Sequence, residues 1–190
     1  TIYFSKFGFH KTTMDEIARH IHKAKGVLYY YFKSKEELFS EVLRYELDQV
    51  KEELRRITGN NEDSLAILKK YILARLKLLS KAVNYHETLK ADFFERYDFV
   101  KDVREDFTSF EKKQLTDIMS RGRKEGYLEI KNIQSIVNVF MMLLNSMELP
   151  LYMQNKYNEY EDTIEELITM VINSLRTRKN NFSLARIYFF

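Results

Sequence analysis

The scarcity of residues that turn or break a chain is the feature that most restricts this fold. The 190 residues include one proline and five glycines, whereas strands joined by tight turns need many of both. Most of the chain carries apolar side chains every three or four residues, the spacing that places them on one face of a helix. We therefore predict an all-α protein.

Composition excludes several classes of protein. Hydrophobic residues make up 45% of the chain, which is typical of a globular protein. The absence of cysteine excludes disulfides, thiol catalysis and cysteine-based zinc sites, and it fits a cytoplasmic protein. We find no signal peptide and no apolar run approaching the length of a membrane-spanning helix, so we expect no membrane partner. Because Thr1 already lies in a helical pattern, we expect a further segment to precede it.

The basic residues are concentrated at the N-terminus. The first 35 residues contain seven lysines and arginines against Asp15 and Glu16, a local charge of +5 within a total of +3, which leaves −2 for the other 155 residues. A basic end on a near-neutral body indicates a head that binds a polyanion.

Two capping signals frame two short helices in this basic segment. Thr13 and Glu16 have the spacing of a capping box, and so do Ser34 and Glu37. Residues 26–32 form a second short helix after the turn HKAK. Two short helices joined by a turn, with one helix before them and a longer one after, describe a helix-turn-helix, whose second helix lies in the DNA major groove.

That second short helix carries three consecutive tyrosines. Leu28 and Phe32 are four residues apart and share its inner face, so the tyrosines at 29–31 point partly or wholly outward. A phenol can donate a hydrogen bond to a phosphate oxygen, and Lys35 lies in the next helix's first turn, where free amides favour phosphate. Spacing alone equally allows these tyrosines to be half-buried core residues.

Residues 1–45 resemble the tetracycline-repressor (TetR) family of bacterial transcription regulators. The segments FSKFGFHKTTMDEIA and AKGVLYYYFKSKEEL carry the resemblance. It implies base contacts from Lys25, Gly26, Val27 and Tyr30. It implies phosphate contacts from Thr12, Thr13, Tyr29, Tyr31 and Lys35.

The turn departs from the family pattern of alanine, glycine, valine and serine. Here the four residues are Ile21, His22, Lys23 and Ala24. His22 must adopt a left-handed conformation that glycine adopts freely, and Ala24 cannot cap the next helix, a loss of about 1 kcal/mol. Lys23 replaces a buried valine, so it either extends into solvent or reaches a phosphate. We expect the docking mode to be kept, with the turn geometry and the base preference open.

Residues 46–180 are predicted to form a helical effector-binding and dimerisation domain. Two apolar helices near its end have stripes too wide for a single neighbour, which allows either a deep monomer core or an interface with a second copy. We favour a homodimer, which two recognition helices need in order to reach two half-sites. The predicted interface residues are Ile133, Val137, Leu144, Ile164, Leu167, Ile168, Val171, Ile172 and Leu175.

The family resemblance also implies a small-molecule pocket in this domain, with an apolar lining. Its candidate residues, which could equally be plain core, are Phe93, Phe94, Tyr97, Phe107, Tyr127, Phe140, Met141 and Met147. Residues 181–190 form an apolar tail to which we assign no role. We find no metal-site spacing, no phosphate loop and no hydrolase motif, so we predict neither a cofactor nor an enzyme.

The sequence therefore predicts a ligand-responsive regulator of transcription, acting as a repressor. It would bind a palindromic DNA operator as a homodimer and be released by a small apolar effector. Two alternatives stay open: a DNA-binding protein without an effector, and a helical protein–protein adaptor with a degenerate head.

Overall fold

The computed structural model describes residues 2–90 and 98–177, and there the all-α prediction is confirmed. The β-type pairing found in these ranges is a single bridge between Leu128 and Arg176. A 3₁₀ turn, Asp98–Val100, precedes the seventh helix, and a π-helical turn, Leu149–Met153, follows the eighth. The α-helices of the described residues are α1 (Ile2–Phe7), α2 (Met14–His20), α3 (Lys25–Tyr31), α4 (Lys35–Thr58), α5 (Ser64–Leu79), α6 (Val83–Glu87), α7 (Lys101–Lys124), α8 (Ile133–Glu148) and α9 (Tyr157–Ser174).

Helices α1 to α3 and the start of α4 form the head, which is built around aromatic side chains. Phe39 of α4 packs edge-on against Phe4 and Phe9, with both pairs of ring centres 5.1 Å apart. Edge-to-face pairs of this kind add stability beyond the apolar area that they bury. Leu28 is the buried residue of α3, and it fixes that helix to the head.

One continuous helix joins the head to the body. The boundary predicted after residue 45 falls inside α4, which runs from Lys35 to Thr58 and is about 36 Å long at 1.5 Å per residue. Leu43, Leu47 and Leu54 of its inner face are fully buried. Helix α4 therefore belongs to both the head and the body.

Helix α5 is the centre of the body, where it contacts α4, α7 and α9. Its Leu68, Ile72, Leu76 and Leu79 are fully buried, as the predicted helical register requires. A loop at residues 59–63 separates α4 from α5. This central position places Arg75 of α5 in the middle of the domain.

Helix α6 is a five-residue link between head and body. The carboxylate of Glu46 in α4 accepts hydrogen bonds from the Tyr85 backbone N–H (2.8 Å) and the Asn84 side-chain amide (3.0 Å). The same Asn84 amide donates to the hydroxyl of Ser5 in α1 at 3.2 Å. Polar bonds thus attach α6 to both α4 and the head.

Most of the predicted interface residues lie inside the protomer, which corrects the sequence prediction. Ile133, Val137, Leu144, Ile164, Ile168 and Ile172 are each at most 8% exposed, and only Leu167, at 51%, is exposed. Val171 and Leu175 are partly buried against the core. The sequence identified the apolar helices correctly but selected their inward faces.

The outward sides of α8 and α9 carry exposed apolar side chains beside polar ones. We call this surface the α8–α9 apolar face; its exposed residues are Val139, Met142, Leu143, Leu149, Met153, Tyr160, Leu167 and Met170. Among the described residues one segment, 133–153, is long and apolar enough to span a membrane, with a mean hydropathy of 1.3. The sequence analysis expected no apolar run of this length, so the finding differs from that expectation. The core helix of a soluble protein also meets these limits of length and composition.

Candidate nucleic-acid interface

The N-terminus of α2 is fixed by the predicted capping box. Thr13 Oγ1 accepts from the Glu16 backbone N–H at 3.3 Å, and Glu16 Oε2 accepts from the Thr13 backbone N–H at 2.9 Å. Hydrogen bonds from Thr13 lower the pKa of the Glu16 carboxyl because they stabilise its charged form. The helix that supports α3 therefore begins at a defined residue.

The start of α4 forms a variant of the second predicted capping box. Ser34 Oγ accepts from the Glu37 backbone N–H at 3.2 Å, as expected. The Glu37 carboxylate, however, accepts from the backbone N–H of Lys33 at 2.6 Å rather than from that of Ser34. The return bond is therefore displaced by one residue, and it also orders the segment that precedes α4.

The turn between α2 and α3 closes without glycine. His22 has φ of +54°, the left-handed conformation that we expected, and the Lys23 backbone N–H donates to the Ala18 carbonyl at 3.0 Å. Ala24 begins α3 without a side-chain cap, also as expected. Because this turn forms, the degenerate head that the adaptor alternative requires loses its support.

The tyrosine run of α3 is exposed. Leu28 is buried and Phe32 is half-buried, while Tyr29, Tyr30 and Tyr31 are 44%, 83% and 67% exposed. The rings of Tyr30 and Tyr31 meet edge-on with centres 5.1 Å apart. The prediction that these phenols point outward is confirmed, and the half-buried interpretation is wrong for the last two.

The first turn of α3 is also accessible. Lys23, Lys25, Gly26 and Val27 are exposed, and a Cβ atom added at Gly26 would meet nothing within 4 Å. The Lys25 ammonium lies 2.7 Å from the Asp15 carboxylate of α2, and this hydrogen bond raises its pKa. This pair directs the Lys25 side chain from α3 toward α2.

Thr12 does not face solvent, so its predicted role needs correction. Its side chain is fully buried, and its hydroxyl donates to the Gly8 carbonyl at 2.6 Å. Gly8 has φ of +78°, a conformation that side chains disfavour. Thr12 therefore stabilises the sharp turn after α1 and offers no surface to a phosphate.

Lys35 is half-buried rather than free. Its ammonium donates to the Phe9 carbonyl at 3.0 Å and lies 4.2 Å from the centre of the Phe9 ring. An ammonium has three N–H groups, so this contact leaves donors for a phosphate. Sequence reasoning missed the contact because it joins residues 26 positions apart.

The body contains a buried charged cluster that the sequence did not reveal. Arg75 Nε donates to Glu111 at 2.5 Å and its Nη2 donates to Glu148 at 2.6 Å, with all three side chains buried. Burial lowers the pKa of Arg75, but the two carboxylates outweigh burial and raise it. The Tyr85 hydroxyl donates to Glu148 at 2.9 Å, which connects the cluster to α6.

Two buried polar atoms beside this cluster have no partner among the residues that the structure describes. They are Nη1 of Arg75 and the hydroxyl oxygen of Tyr71. Burial, followed by the charge of Glu111, raises the pKa of Tyr71, so the phenol keeps its proton. An unsatisfied buried donor costs about 1–3 kcal/mol, which makes these two atoms costly to the folded state.

The predicted pocket residues are dispersed. Phe107, Phe140 and Met141 are buried in the core, Met147 is half-buried and Tyr127 is exposed; Phe93, Phe94 and Tyr97 lie outside the described residues, as does the tail at 181–190. A cleft of about 270 Å³ between α5 and α7 is lined by other residues: Thr58, Ser64, Ile67, Gln114, Asp117, Ile118 and Arg121. The effector pocket therefore stays a prediction.

A basic head with two short helices, a closed turn and an exposed tyrosine run on the second helix defines a helix-turn-helix DNA-binding protein. The profile of bacterial regulatory proteins of the tetR family matches residues 3–42 of this head. The transcriptional regulator QacR of Staphylococcus aureus is 26% identical over 179 residues, which is 90% of this chain and 92% of QacR.

Solved structures share the fold over nearly the whole chain. A transcriptional regulator from Cytophaga hutchinsonii is 25% identical with a TM-score of 0.73, covering 92% of this chain and 93% of that one. FadR of Bacillus subtilis, solved with stearoyl-CoA, is 15% identical with a TM-score of 0.70, covering 87% and 91%. The head is therefore a DNA-binding domain of the tetR family, and the similarity over the rest of the chain supports a DNA-binding regulator of transcription.

Proposed function

We propose that the protein is a repressor that binds a palindromic operator as a homodimer in the cytoplasm and leaves it when a small molecule binds the body. The observation that carries the DNA contact is the exposure of the tyrosine run, with Tyr30 at 83%. Tyr30 would meet a base or a thymine methyl in the major groove. Tyr29, Tyr31 and Lys35 would hold the phosphates on either side.

The α8–α9 apolar face supports the homodimer. Met142 and Val139 are three residues apart on α8, and Leu167 and Met170 are three apart on α9, so each helix presents a stripe. A continuous exposed apolar surface on a monomer marks an interaction site. Paired about a two-fold axis, α8 and α9 of two copies would form a four-helix interface that holds two heads at fixed spacing.

The links of α6 support control by an effector. The Tyr85 hydroxyl binds the buried cluster through Glu148, while the Tyr85 backbone N–H binds Glu46 of α4. A molecule that displaces Tyr85 would shift α4 and change the distance between the two heads. The complex of FadR with stearoyl-CoA supports this proposal, because the same fold there holds a small molecule.

Selection of binding sites from a pool of random DNA duplexes finds the operator and tests the proposal in one experiment. Tyr30→Ala should weaken binding to the selected duplex about tenfold or more, the effect of losing roughly 1.4 kcal/mol. Tyr45→Ala is the matched control, because Tyr45 is 60% exposed on α4, about 15 Å along that helix from Lys35. Equal affinities for the two variants, or binding indifferent to sequence, would contradict the proposed contact.

A further inference from the structure

The unpaired donors of the buried cluster lie on one side of α5. Arginine has five N–H groups, and those on Nε and Nη2 of Arg75 are used by Glu111 and Glu148. Within residues 2–90 and 98–177, Nη1 has no partner, and neither has the hydroxyl of Tyr71, one helical turn earlier. Residues four apart on a helix are neighbours, so one bound group could meet both.

The remaining polar groups around Arg75 already have partners. The Tyr85 hydroxyl donates to Glu148, and the Tyr152 hydroxyl donates to the Leu76 carbonyl at 3.3 Å. Asn145 Oδ1 accepts from Arg75 Nη2 at 3.3 Å. Buried polar groups in folded proteins nearly always have a partner. In the part of the chain that the structure describes, the cluster therefore lacks an acceptor that faces Arg75 Nη1 and Tyr71.

The charges of the cluster select the chemistry of that acceptor. Arg75 is opposed by two carboxylates, Glu111 and Glu148, so the site carries no surplus positive charge. A carboxylate or phosphate would place a further negative charge beside them in a medium of low dielectric. An ammonium group has only hydrogen-bond donors, and the unpaired groups of this site are themselves donors. A neutral oxygen accepts hydrogen bonds and adds no charge.

We propose that Arg75 Nη1 and the Tyr71 hydroxyl bind the oxygen of an uncharged, carbonyl-bearing and otherwise apolar effector. This inference rests on the proposed function of the body as an effector domain. Phe107, one of the predicted pocket residues, supplies apolar surface close by, since its ring centre lies 6.2 Å from that of Tyr85. The carbonyl oxygen is then the polar anchor of a ligand that is held mainly by apolar contacts.

The test compares three probes of equal chain length, 2-nonanone, nonanoate and nonylamine, by their effect on the melting temperature of the full protein. At about 1 mM, a ligand in excess of its Kd should raise Tm by roughly 3–6 °C. We expect this shift from the ketone and less than about 1 °C from the anion and the amine. Tyr71→Phe should reduce the ketone shift by half or more.

The ligand-free variants separate a binding role from a structural one. Tyr71→Phe removes a hydroxyl that has no partner, so its ligand-free Tm should equal or exceed that of the wild type. Tyr85→Phe, the matched control, removes the bond to Glu148 and should lower Tm. If Tyr71→Phe also lowers Tm, its hydroxyl has a structural role and the proposal is wrong.

Three other results would overturn the inference: no shift with the ketone, a larger shift with the anion or amine, or a ketone shift unchanged in Tyr71→Phe. Operator binding without any probe is measured separately on the wild type. If the wild type does not bind the operator but the ketone still raises Tm, the proposed function is wrong and the ligand site is supported. If the wild type binds the operator but the ketone does not raise Tm, this inference is wrong and the proposed function is unaffected.

Discussion

The ammonium group of Lys35, in the first turn of α4, donates a 3.0 Å hydrogen bond to the carbonyl of Phe9 and covers the ring of the same residue. Phe9 in turn packs against Phe39 of α4 and Phe99 of the turn before α7. The residue expected to hold a phosphate thus also connects the loop after α1 to the body. Lys35 therefore has two roles, the proposed contact with DNA and the packing of the head against the body.

Replacing Lys35 with methionine should destabilise the head by about 1 kcal/mol, the net value of one hydrogen bond. Methionine keeps much of the apolar stem and removes the donor. Urea unfolding measures the stability, and faster amide exchange at residues 9–12 would locate the loss. Lys33→Met, at an exposed position two residues earlier, should change stability little. Equal losses in both variants would show that the Phe9 contact does not stabilise the head.

Replacing His22 with glycine should stabilise the protein by about 1 kcal/mol. The left-handed conformation of His22 costs a non-glycine residue roughly 1–2 kcal/mol, and the greater freedom of glycine in the unfolded chain offsets part of that gain. Urea unfolding measures the difference. Lys23→Gly, where φ is not positive, should destabilise instead. A destabilised His22→Gly would show that the imidazole makes a compensating contact.

Replacing Met142 with glutamate should convert the proposed dimer to a monomer at micromolar concentration. Met142 is 71% exposed in the protomer, so the charge is tolerated there but would be buried without a partner in the interface. Sedimentation equilibrium gives the mass directly. Tyr45→Glu places the same charge on α4, outside the α8–α9 apolar face, and should stay dimeric. A dimeric Met142→Glu would exclude this face as the interface.

The capping box of α2 should make the free energy of unfolding depend on pH in the acidic range. The folded-state pKa of Glu16 lies below its ordinary value of 4.5 because of its bonds to Thr13. A carboxyl with a depressed pKa contributes stability above its unfolded pKa and loses it as the pH falls through the folded pKa. The unfolding free-energy gap between wild type and Glu16→Gln should therefore be constant at neutral pH and shrink below pH 4.5. A gap that is flat or widens in acid would contradict this assignment.

Local signals explain what the sequence revealed. The capping box joins Thr13 and Glu16, which are three positions apart, and the shared inner face joins Leu28 and Phe32, which are four positions apart. Such spacings follow from helix geometry alone. The left-handed turn at His22 was predicted from the family resemblance instead, because the family pattern has glycine at that position.

The features that the sequence did not reveal depend on contacts between residues far apart in the chain. Arg75 meets Glu111 and Glu148 from 36 and 73 residues away. Glu111 lies in a charged stretch that is typical of a solvated surface, whereas Glu148 is the one charged residue of the apolar segment 133–153. Helix α8 is apolar on nearly every side, so its periodicity could not show which half faces inward. Only the packing of α7 against it separates buried Val137 from exposed Met142.

Two copies of α3 reading DNA through their tyrosines are the core of the proposed function. A hydroxyl-radical footprint on the selected duplex, with wild type and Tyr30→Ala, tests this most directly. At a protein concentration near the wild-type Kd, we predict two protected windows related by a two-fold axis, their centres one or more helical turns of about 10.5 base pairs apart, and both lost in the variant at that same concentration. A single window, or two windows that persist in Tyr30→Ala, would contradict the proposal.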